Sequence, residues 1–261
     1  MKNKLGSLSN SALLLIKRII VLVITSMLLV FGTHATVANE TATPEGPSTT
    51  INIKKCRLTE YFIVFDVIRD SFIVGIATRA LKPANKDNYF MLSSSLTASM
   101  AFMKFTQKEN SVLKSYNHTG FYSSEYSKFS KKPLKKEIKY RYPVNTSVSS
   151  GVNRTFDPLS VYDHLRELAC SGLTHDIKLN VKEKNEVTQY YFEYKGEQVL
   201  TITKGEAETI LFVRTRKTSN RETSIWFDVN RDFLPVKIQQ DKDGEIQAVL
   251  TAKSINDSLL E

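Results

Sequence analysis

The stretch that decides the fold is residues 176–203, DIKLNVKEKNEVTQYYFEYKGEQVLTIT. Near its start, Ile177, Leu179 and Val181 alternate with polar residues, and aromatic side chains repeat this alternation over 189–195. A period of two places the apolar members on one face of a strand and the polar members on the other. This stretch therefore predicts antiparallel strands with one buried face.

The same alternation extends over most of the chain. Further strands are predicted at 61–67, 72–80, 88–95, 97–105, 111–116, 208–216, 223–228, 234–238 and 246–252. Turns are predicted at Gln107–Asn110, Lys195-Gly196, Lys204-Gly205 and Asp243-Gly244. Residues 115–156 are rich in Tyr, Ser and Lys, and within them only Lys135–Tyr142 has the pattern of a strand. About nine to eleven strands joined by short turns predict a mainly β protein, built on one large curved antiparallel sheet or half-open β-barrel.

One helix is predicted in this β-rich chain, at about residues 157–171. Asp157 suits the N-cap, Pro158 suits the first turn, and Gly172 follows the end of the helical pattern. Apolar side chains recur at helical spacing at Leu159, Tyr162, Leu165, Leu168 and Ala169. Because such a stripe needs an apolar surface to pack on, we expect the helix to cover the concave face of the sheet.

The N-terminus has the order of a secretory signal peptide. Four basic residues and no acid precede an uncharged run at 19–32, and small residues follow it up to Ala38. The run is shorter than the roughly 20 apolar residues that span a membrane. We therefore expect residues 1–38 to be a cleaved export signal. The alternative is an uncleaved signal that anchors the chain in a membrane.

The rest of the chain is predicted to form one domain with short tails. Residues 39–55 are expected to be a flexible leader, because their first part is polar and rich in turn-forming residues. Residues 56–255 are expected to form a single β-rich domain. Residues 256–261 are expected to be a tail.

Composition and charge exclude several classes of protein. With 41% hydrophobic and 24% charged residues, the chain has the composition of a globular protein, not of a disordered one. The formal charge is +9, and removal of the four basic signal residues leaves +5. This modest excess favours contact with anionic surfaces. An exported protein seldom meets nucleic acid, so no nucleic-acid partner is predicted.

The sequence contains no familiar catalytic or metal-binding motif. It lacks the GxSxG nucleophile elbow, the GxxxxGK[ST] phosphate loop and the HExxH zinc motif. Its two cysteines are too few for a four-cysteine zinc site. His164 and Glu167 lie one helical turn apart, which is more typical of a solvent-facing pair than of a metal site. We therefore predict a protein that is not an enzyme, with no catalytic residue, metal or cofactor.

The two cysteines have two interpretations. Cys56 precedes the first predicted strand, and Cys170 ends the predicted helix. In an exported protein they can form a disulfide, which would stabilise the fold by up to about 4–5 kcal/mol because it closes a long loop. Alternatively, each cysteine is a small apolar residue in the core.

A cluster of methionines and phenylalanines marks a candidate ligand-binding surface. Met91, Met100 and Phe102 belong to this cluster, and Trp226 lies in a second apolar stretch. Because methionine adapts its shape, these residues can line a cavity for acyl chains. The alternative is that all of them are ordinary core residues of the sheet.

A basic run between residues 128 and 141 marks a second candidate surface. It can bind the anionic headgroup of a lipid, a sugar phosphate or an acidic partner, and it can make peripheral contact with a membrane. The alternative is a solvated loop with lysines that prevent pairing between sheet edges. The candidate residues are Lys131, Lys132, Lys135, Lys136 and Lys139.

Two segments of the chain resemble a known family. The helix segment Asp157–Arg166 (DPLSVYDHLR) and the strand Leu234–Ile238 (LPVKI) are the specific parts of the match, and Tyr194–Glu197 (YKGE) also fits. In these features the chain is similar to the exported bacterial family called domain of unknown function 3108, over about residues 57–253.

The resemblance implies a periplasmic protein of Gram-negative bacteria. It also implies a curved sheet similar in plan to the periplasmic lipoprotein carriers, in which a half-open barrel holds acyl chains and a helix acts as a lid. On that plan, Tyr162 and Leu165 of the helix would face the ligand. The family name brings no activity with it.

Three functions are weighed on this basis. The first is a non-enzymatic periplasmic carrier for an apolar or amphipathic, lipid-like ligand in cell-envelope maintenance. The second is an envelope scaffold that binds another protein and has a filled core without a ligand. The third and least favoured is a hydrolytic enzyme. An uncleaved signal would place any of them on the inner membrane.

Overall fold

The described part of the chain forms one β-sheet and one helix. The computed structural model describes residues 59–100, 103–115, 120–131, 138–143, 154–203, 205–216 and 219–257, all within the compact unit Thr50–Glu261. The strands are β1 (Tyr61–Arg69), β2 (Phe72–Pro83), β3 (Tyr89–Met100), β4 (Met103–Ser115), β5 (Phe121–Lys131), β6 (Ile138–Pro143), β7 (Thr155–Phe156), β8 (Ile177–Glu183), β9 (Glu186–Ile202), β10 (Gly205–Arg216), β11 (Ser219–Asp228), β12 (Leu234–Lys242) and β13 (Glu245–Asp257). The helix, α1, spans Ser160–Cys170.

The thirteen strands are hydrogen-bonded in the order β6-β5-β4-β3-β2-β1-β13-β12-β11-β10-β9-β8-β7. Neighbouring strands are antiparallel, except that the short β7 runs parallel to β8. The sheet curls into a nearly closed barrel. The predicted mainly β fold, a half-open barrel with one helix, is therefore confirmed.

Alternation along each strand defines the inner face of the barrel. On β1, Ile63 and Phe65 are buried, whereas Phe62, the residue before Ile63, is exposed. The inner face continues on the neighbouring strand β2, because Ile63 pairs with Arg79 and Phe65 pairs with Ala77. Each large apolar side chain that is fully buried in this way contributes about 1.5–3 kcal/mol to the free energy of unfolding.

The two ends of the barrel have different connections. At one end, which we call the helix end, β1 begins and the turn at residues 229–233 joins β11 to β12. At the other end, which we call the mouth end, lie the β1–β2, β3–β4, β8–β9, β10–β11 and β12–β13 connections.

Asp157 caps α1, as the sequence predicts, although the regular helix begins at Ser160. Asp157 Oδ1 accepts hydrogen bonds from the backbone amides of Leu159 and Ser160, both at 2.8 Å. The second carboxylate oxygen accepts a hydrogen bond from Ser111 on β4. Burial raises the pKa of Asp157, although the hydrogen bond from Ser111 acts in the opposite direction. The cap therefore also joins the start of α1 to the barrel wall.

An ion pair between Asp163 of α1 and Arg79 of β2 lies inside the barrel, with the two side chains 2% and 8% exposed. Arg79 Nη2 also donates to the backbone carbonyl of Leu159 at 3.0 Å, and Arg79 Nε donates to the hydroxyl of Tyr61 at 3.1 Å. The Tyr61 hydroxyl donates in turn to Asp163 Oδ1 at 2.7 Å. Burial and the neighbouring Asp163 carboxylate raise the pKa of Tyr61, which keeps this hydroxyl a donor.

Arg166 extends this network to the helix end. Its Nε donates to the backbone carbonyl of Asp232 at 2.8 Å, and its Nη2 donates to Thr59 Oγ1 at 3.3 Å. Its guanidinium carbon lies 5.2 Å from the centre of the Tyr61 ring, within the range of a cation–π interaction. Arg166 therefore links α1 to the segment before β1 and to the turn before β12.

Helix α1 is buried on two of its faces. One face is apolar and belongs to the main core, with Val161, Leu165 and Ala169. A second face is polar and equally buried, with Ser160, Asp163 and Arg166 at intervals of three residues. We expected α1 to cover the concave sheet through its apolar stripe alone. It covers the inner face, but it lies deeper, inside the helix end, where its polar face also has barrel partners.

Some predicted turns agree with the structure and others do not. The turn at Asp243-Gly244 joins β12 to β13, as predicted. A turn was also predicted at Lys204-Gly205, where Gly205 is the first residue of β10 and Lys204 lies outside the described residues. The turn predicted at Gln107–Asn110 is wrong, because these residues lie inside β4 and pair with β5. The turn predicted at Lys195-Gly196 is also wrong. There, β9 continues through a bulge opposite Leu211, with Gly196 at a positive φ of 87°.

Two further features concern the ends of the predicted domain. β13 continues to Asp257, two residues beyond the predicted end of the domain at 255, because Asn256 and Asp257 pair with β1. In the described part of the chain, no helix has the length and apolar character that a membrane span requires. The predicted signal, leader and N-terminal domain boundary lie outside the described residues.

The buried ion pair gives the first prediction. Asp163→Asn removes the negative charge and leaves the guanidinium of Arg79 buried without its counter-charge. We expect the free energy of unfolding to fall by about 3–5 kcal/mol, the usual loss when one partner of a buried pair is removed. Urea denaturation followed by circular dichroism measures this change.

A surface pair on the same barrel provides the control. Asp66 Oδ1 on the outer face of β1 lies 3.3 Å from Lys253 Nζ on β13, and the two side chains are 13% and 53% exposed. Asp66→Asn should change the free energy of unfolding by less than about 1 kcal/mol. Equal losses in the two variants would contradict the assigned role of the buried pair.

Candidate ligand-binding site

Several apolar side chains on the inner face near the mouth end are only half-buried. Leu96 on β3, Ile238 on β12 and Leu250 on β13 pack against the core and are partly exposed. They belong to the inner face, because Leu96 pairs with the buried Ala77 and Leu250 pairs with the buried Val67. The interior is therefore filled around α1 and accessible to solvent toward the mouth.

The register aligns two rows of inward-facing residues across β10, β11, β12 and β13. The deeper row is apolar and consists of Phe212, Ile225, Ile238 and Leu250. The row two residues nearer the mouth consists of Arg214, Thr223, Gln240 and Ala248. Since a strand rises about 3.3 Å per residue, the two rows are separated by about 7 Å. The wall thus changes from apolar to polar toward the mouth.

Arg214 is held in this outer row by neutral partners. Its Nη1 donates to the hydroxyl of Tyr162 on α1 at 2.7 Å, and its Nη2 donates to Thr223 Oγ1 at 2.7 Å. Its guanidinium carbon lies 4.9 Å from the centre of the Tyr190 ring. Among the described residues, no carboxylate forms an ion pair with Arg214. Within the described ranges, its positive charge is therefore stabilised by hydroxyl groups and aromatic rings alone.

Arg216, two residues further toward the mouth, has one acidic partner. Its Nη2 lies 2.7 Å from Glu183 Oε1 on β8, and it also donates to the hydroxyl of Tyr190. The Tyr190 hydroxyl donates to Glu183. Burial, followed by the neighbouring Tyr162, raises the pKa of Tyr190, so the phenol stays protonated at neutral pH. Among the described residues, Glu183 therefore pairs with Arg216 only, and Arg214 has no carboxylate partner.

Both arginines also have a buried nitrogen that makes no hydrogen bond. The Nε atoms of Arg214 and Arg216 are shielded from solvent and lack an acceptor among the described residues. A buried donor without an acceptor costs about 1–3 kcal/mol. The pair is therefore short of both negative charge and hydrogen-bond acceptors.

A second polar cluster on the inner face is balanced in charge. Glu109 of β4 accepts hydrogen bonds from Tyr126 and from Lys128 Nζ, the latter at 2.7 Å. One carboxylate and one ammonium group face each other here. This cluster therefore has no excess charge to offer a ligand, in contrast to Arg214 and Arg216.

The residues predicted to line a cavity are scattered in the structure. Met91 was expected on the inner face, but it is 38% exposed and lies on the opposite face from its buried neighbour Leu92, so that expectation is wrong. Trp226 was also expected to face inward. It lies on the opposite face of β11 from Ile225 and Phe227, where its Nε1 donates to Gln198 at 2.9 Å.

The remaining predicted ligand residues have different positions. Met100 is the last residue of β3, and Phe102 lies outside the described residues. Leu165 is completely buried in the core, so it offers no surface to a ligand. Tyr162 is half-buried and hydrogen-bonded to Arg214, so it alone of the two helix residues reaches the candidate site.

The basic run is described only in part. Lys131 is exposed at the end of β5, toward the mouth end, and Lys139 lies in β6 opposite Phe129. Lys132, Lys135 and Lys136 lie outside the described residues. A lysine surface that binds an anion therefore stays a prediction.

Cys170 and His164 lie at two further positions singled out in the sequence. Cys170 is disulfide-bonded. Its predicted partner, Cys56, lies outside the described residues, so the pairing stays a prediction. The His164 ring stacks on the Phe156 ring with 4.2 Å between the ring centroids, and His164 Nδ1 lies 3.4 Å from Glu167 Oε2. No group of three or more metal-ligating side chains occurs in the described ranges.

The arginine pair was missed in the sequence, although a signal for it was present. The alternation of β10 continues from Phe212 through Arg214 to Arg216, so a strand reading places both arginines on the face of a buried aromatic residue. Charged residues at inward positions of a strand mark either a salt bridge or a binding site. The strand pattern alone could have drawn attention to them.

The open mouth leads to a labelling prediction. Leu96→Cys should react with a water-soluble maleimide in the native protein, without reducing agent, at least about tenfold faster than Leu92→Cys. Leu92 lies on the same strand and the same face but is completely buried, so its reaction requires an opening of the structure. Both variants should react equally after unfolding in urea. Equal protection of the two native variants would show that the mouth is closed.

Comparisons with known proteins identify the family of the chain. A family model described as "Protein of unknown function (DUF3108)" matches residues 74–251. No curated protein matches the sequence. The chain is similar to the solved structure of a β-barrel-like protein of domain of unknown function DUF1849 from Brucella abortus, with 8% identity, a TM-score of 0.47, and coverage of 77% of this chain and 99% of that chain. Because the family model spans more than half of the sequence, this chain belongs to the DUF3108 family.

Proposed function

We propose that this protein is a non-enzymatic binding module that holds an amphipathic, lipid-like ligand in the mouth of its barrel. The proposed setting is the periplasm, where the protein would act as a carrier in cell-envelope maintenance. The observation that supports the proposal is the half-buried apolar surface inside the mouth, formed by Leu96, Ile238 and Leu250.

An apolar surface inside a barrel is suited to an acyl chain. Each methylene group removed from water there stabilises the complex by about 0.8 kcal/mol. The deeper part of the interior is filled by α1, so we propose that the ligand enters only the mouth half. The lining proposed from the structure, Leu96, Ile238, Leu250 and Tyr162, thus replaces the set based on Met91 and Trp226.

A dye-uptake experiment tests the proposal. N-phenyl-1-naphthylamine is a neutral, apolar dye that fluoresces when it leaves water, and the purified mature protein should take it up. Ile238→Asn places an amide in the apolar row and should weaken uptake by about tenfold, equivalent to about 1.4 kcal/mol. The matched control is Ile76→Asn on the outer side of β2, where the side chain is 51% exposed.

The two outcomes of this experiment are distinct. Loss of uptake in Ile238→Asn, with normal uptake in Ile76→Asn and unchanged far-ultraviolet circular dichroism in both, supports binding in the mouth. Absence of dye uptake by the unaltered protein, together with the absence of lipid in native mass spectra, would contradict the carrier function.

A scaffold that binds another protein is the second candidate. It is favoured by the β1–β2 hairpin, where Phe72 and Ile73 are 73% and 65% exposed at the mouth end. Neighbouring exposed apolar residues are typical of contact surfaces between proteins or with membranes. An envelope protein that is captured by the unaltered chain, and lost with Phe72→Ser, would favour this candidate over the carrier.

The proposed location requires that the N-terminal signal acts in export. Cleavage is expected after one of the small residues Ala35 and Ala38. When the full chain is expressed in a Gram-negative host, we therefore expect a soluble periplasmic product whose N-terminus is Thr36 or Asn39. N-terminal sequencing and intact mass measure this directly. A membrane-bound product that still begins with the signal sequence would instead support the anchored alternative.

A further inference from the structure

We propose that Arg214 and Arg216 form an anion-binding site inside the mouth, and that the ligand carries an acidic headgroup, a carboxylate or a phosphate ester. This inference rests on the proposed function, because it assigns the chemical class of the ligand held there. It moves the headgroup from the lysine run, where the sequence suggested it, to the inner wall of the barrel.

Positive charge exceeds negative charge around the two arginines. Arg214 and Arg216 carry two positive charges, and Glu183 is the one carboxylate among the described residues that forms an ion pair with either of them. Arg214 is only partly exposed, and its other partners are the hydroxyls of Tyr162 and Thr223. A partly buried positive charge without a counter-charge attracts an anion more strongly than a fully solvated one, because water screens it less.

The two arginines also have hydrogen-bond donors that are not used within the described residues. The Nε atoms of both arginines lack acceptors among the described residues. An arginine presents its donors as a planar fork that matches the two oxygens of a carboxylate or phosphate. A small shift of either side chain would present Nε together with a neighbouring Nη group to such an anion. An anionic oxygen is therefore the acceptor that this part of the wall lacks.

The arginines lie nearer the mouth than the apolar row. Arg214 lies in the outer row, about 7 Å nearer the mouth than the row that contains Ile238 and Leu250. A ligand with its headgroup at Arg214 and its chain along the deeper row would therefore place its polar part against the polar row and its apolar part against the apolar row. Neither a neutral lipid nor a small free anion uses both parts of this wall.

Displacement of the neutral dye tests the inference without using a charged reporter. The competitors are dodecanol, laurate and dodecyl phosphate, which share one chain and differ in headgroup, and inorganic phosphate, which has no chain. The unaltered protein should bind laurate or dodecyl phosphate about tenfold or more tightly than dodecanol, the effect expected for charge-assisted hydrogen bonds. The stronger of the two acids identifies the headgroup class.

Three variants locate the site, and one serves as a control. Arg214→Gln and Arg216→Gln should each abolish most of the preference for the acids while leaving the affinity for dodecanol unchanged. Arg214→Lys keeps the charge but not the fork, so it should retain part of the preference. The control is Arg141→Gln, because Arg141 is exposed on β6 and pairs with Glu125.

Unchanged dodecanol affinity also shows that each variant retains its mouth, so a loss of preference is not a loss of folding. Equal affinity for dodecanol and the acids, or an intact preference in both glutamine variants, would overturn the arginine site and leave the carrier function standing. Binding of inorganic phosphate as tight as that of dodecyl phosphate would overturn the headgroup assignment. Failure of the unaltered protein to take up the dye, together with the absence of lipid in native mass spectra, would overturn both proposals.

Discussion

The ion pair between Asp163 and Arg79 is the interaction on which the arrangement of the interior depends. The polar face of α1 is buried against the barrel wall, and it carries the carboxylate of Asp163, which is shielded from water. Arg79 on β2 and the hydroxyl of Tyr61 on β1 supply the charge and the hydrogen bond that this carboxylate needs. Because a buried charge without a partner is strongly destabilising, the pair favours the position of α1 in which these groups meet.

This position of α1 has a direct effect on the candidate site. Tyr162 lies on the same short helix, directly before Asp163, and its hydroxyl accepts a hydrogen bond from Arg214. By positioning α1, the ion pair at the helix end therefore also positions the Tyr162 hydroxyl beside Arg214 in the wall of the mouth. The helix packs inside the helix end and places the Tyr162 hydroxyl beside Arg214, so it lies beneath the mouth rather than across its opening.

The sequence predicted those parts of the fold in which the polarity of a residue matches its position. Strands with a clean alternation, such as β8, and turns with a Gly, such as Asp243-Gly244, were found because one face is apolar and the other is solvated. The family was also identified correctly from the helix segment and the LPVKI strand. In all of these elements, local pattern and burial in the fold agree.

The prediction was wrong where polar residues face inward. Gln107 and Glu109 were assigned to a turn because polar residues broke the apolar pattern, yet both lie in β4, and Glu109 is paired with Lys128 inside the barrel. Strand β5 was missed for the same reason, since Ser123 and Lys128 face the interior. A pattern of hydrophobic residues cannot reveal a strand whose inner face is polar, because the partners that satisfy that face are distant in sequence.

The same reasoning explains why the ligand residues could not be chosen from composition. Methionine and tryptophan have affinity for acyl chains on any surface, but only the register decides which face of a strand they occupy, and a shift by one residue reverses the face. Met91 is displaced from the interior by such a one-residue difference from Leu92. Inward-facing polar and charged residues, in contrast, need a partner in the interior. Where the described barrel provides too few partners, as at Arg214 and Arg216, the deficit itself indicates what kind of molecule the mouth is able to bind.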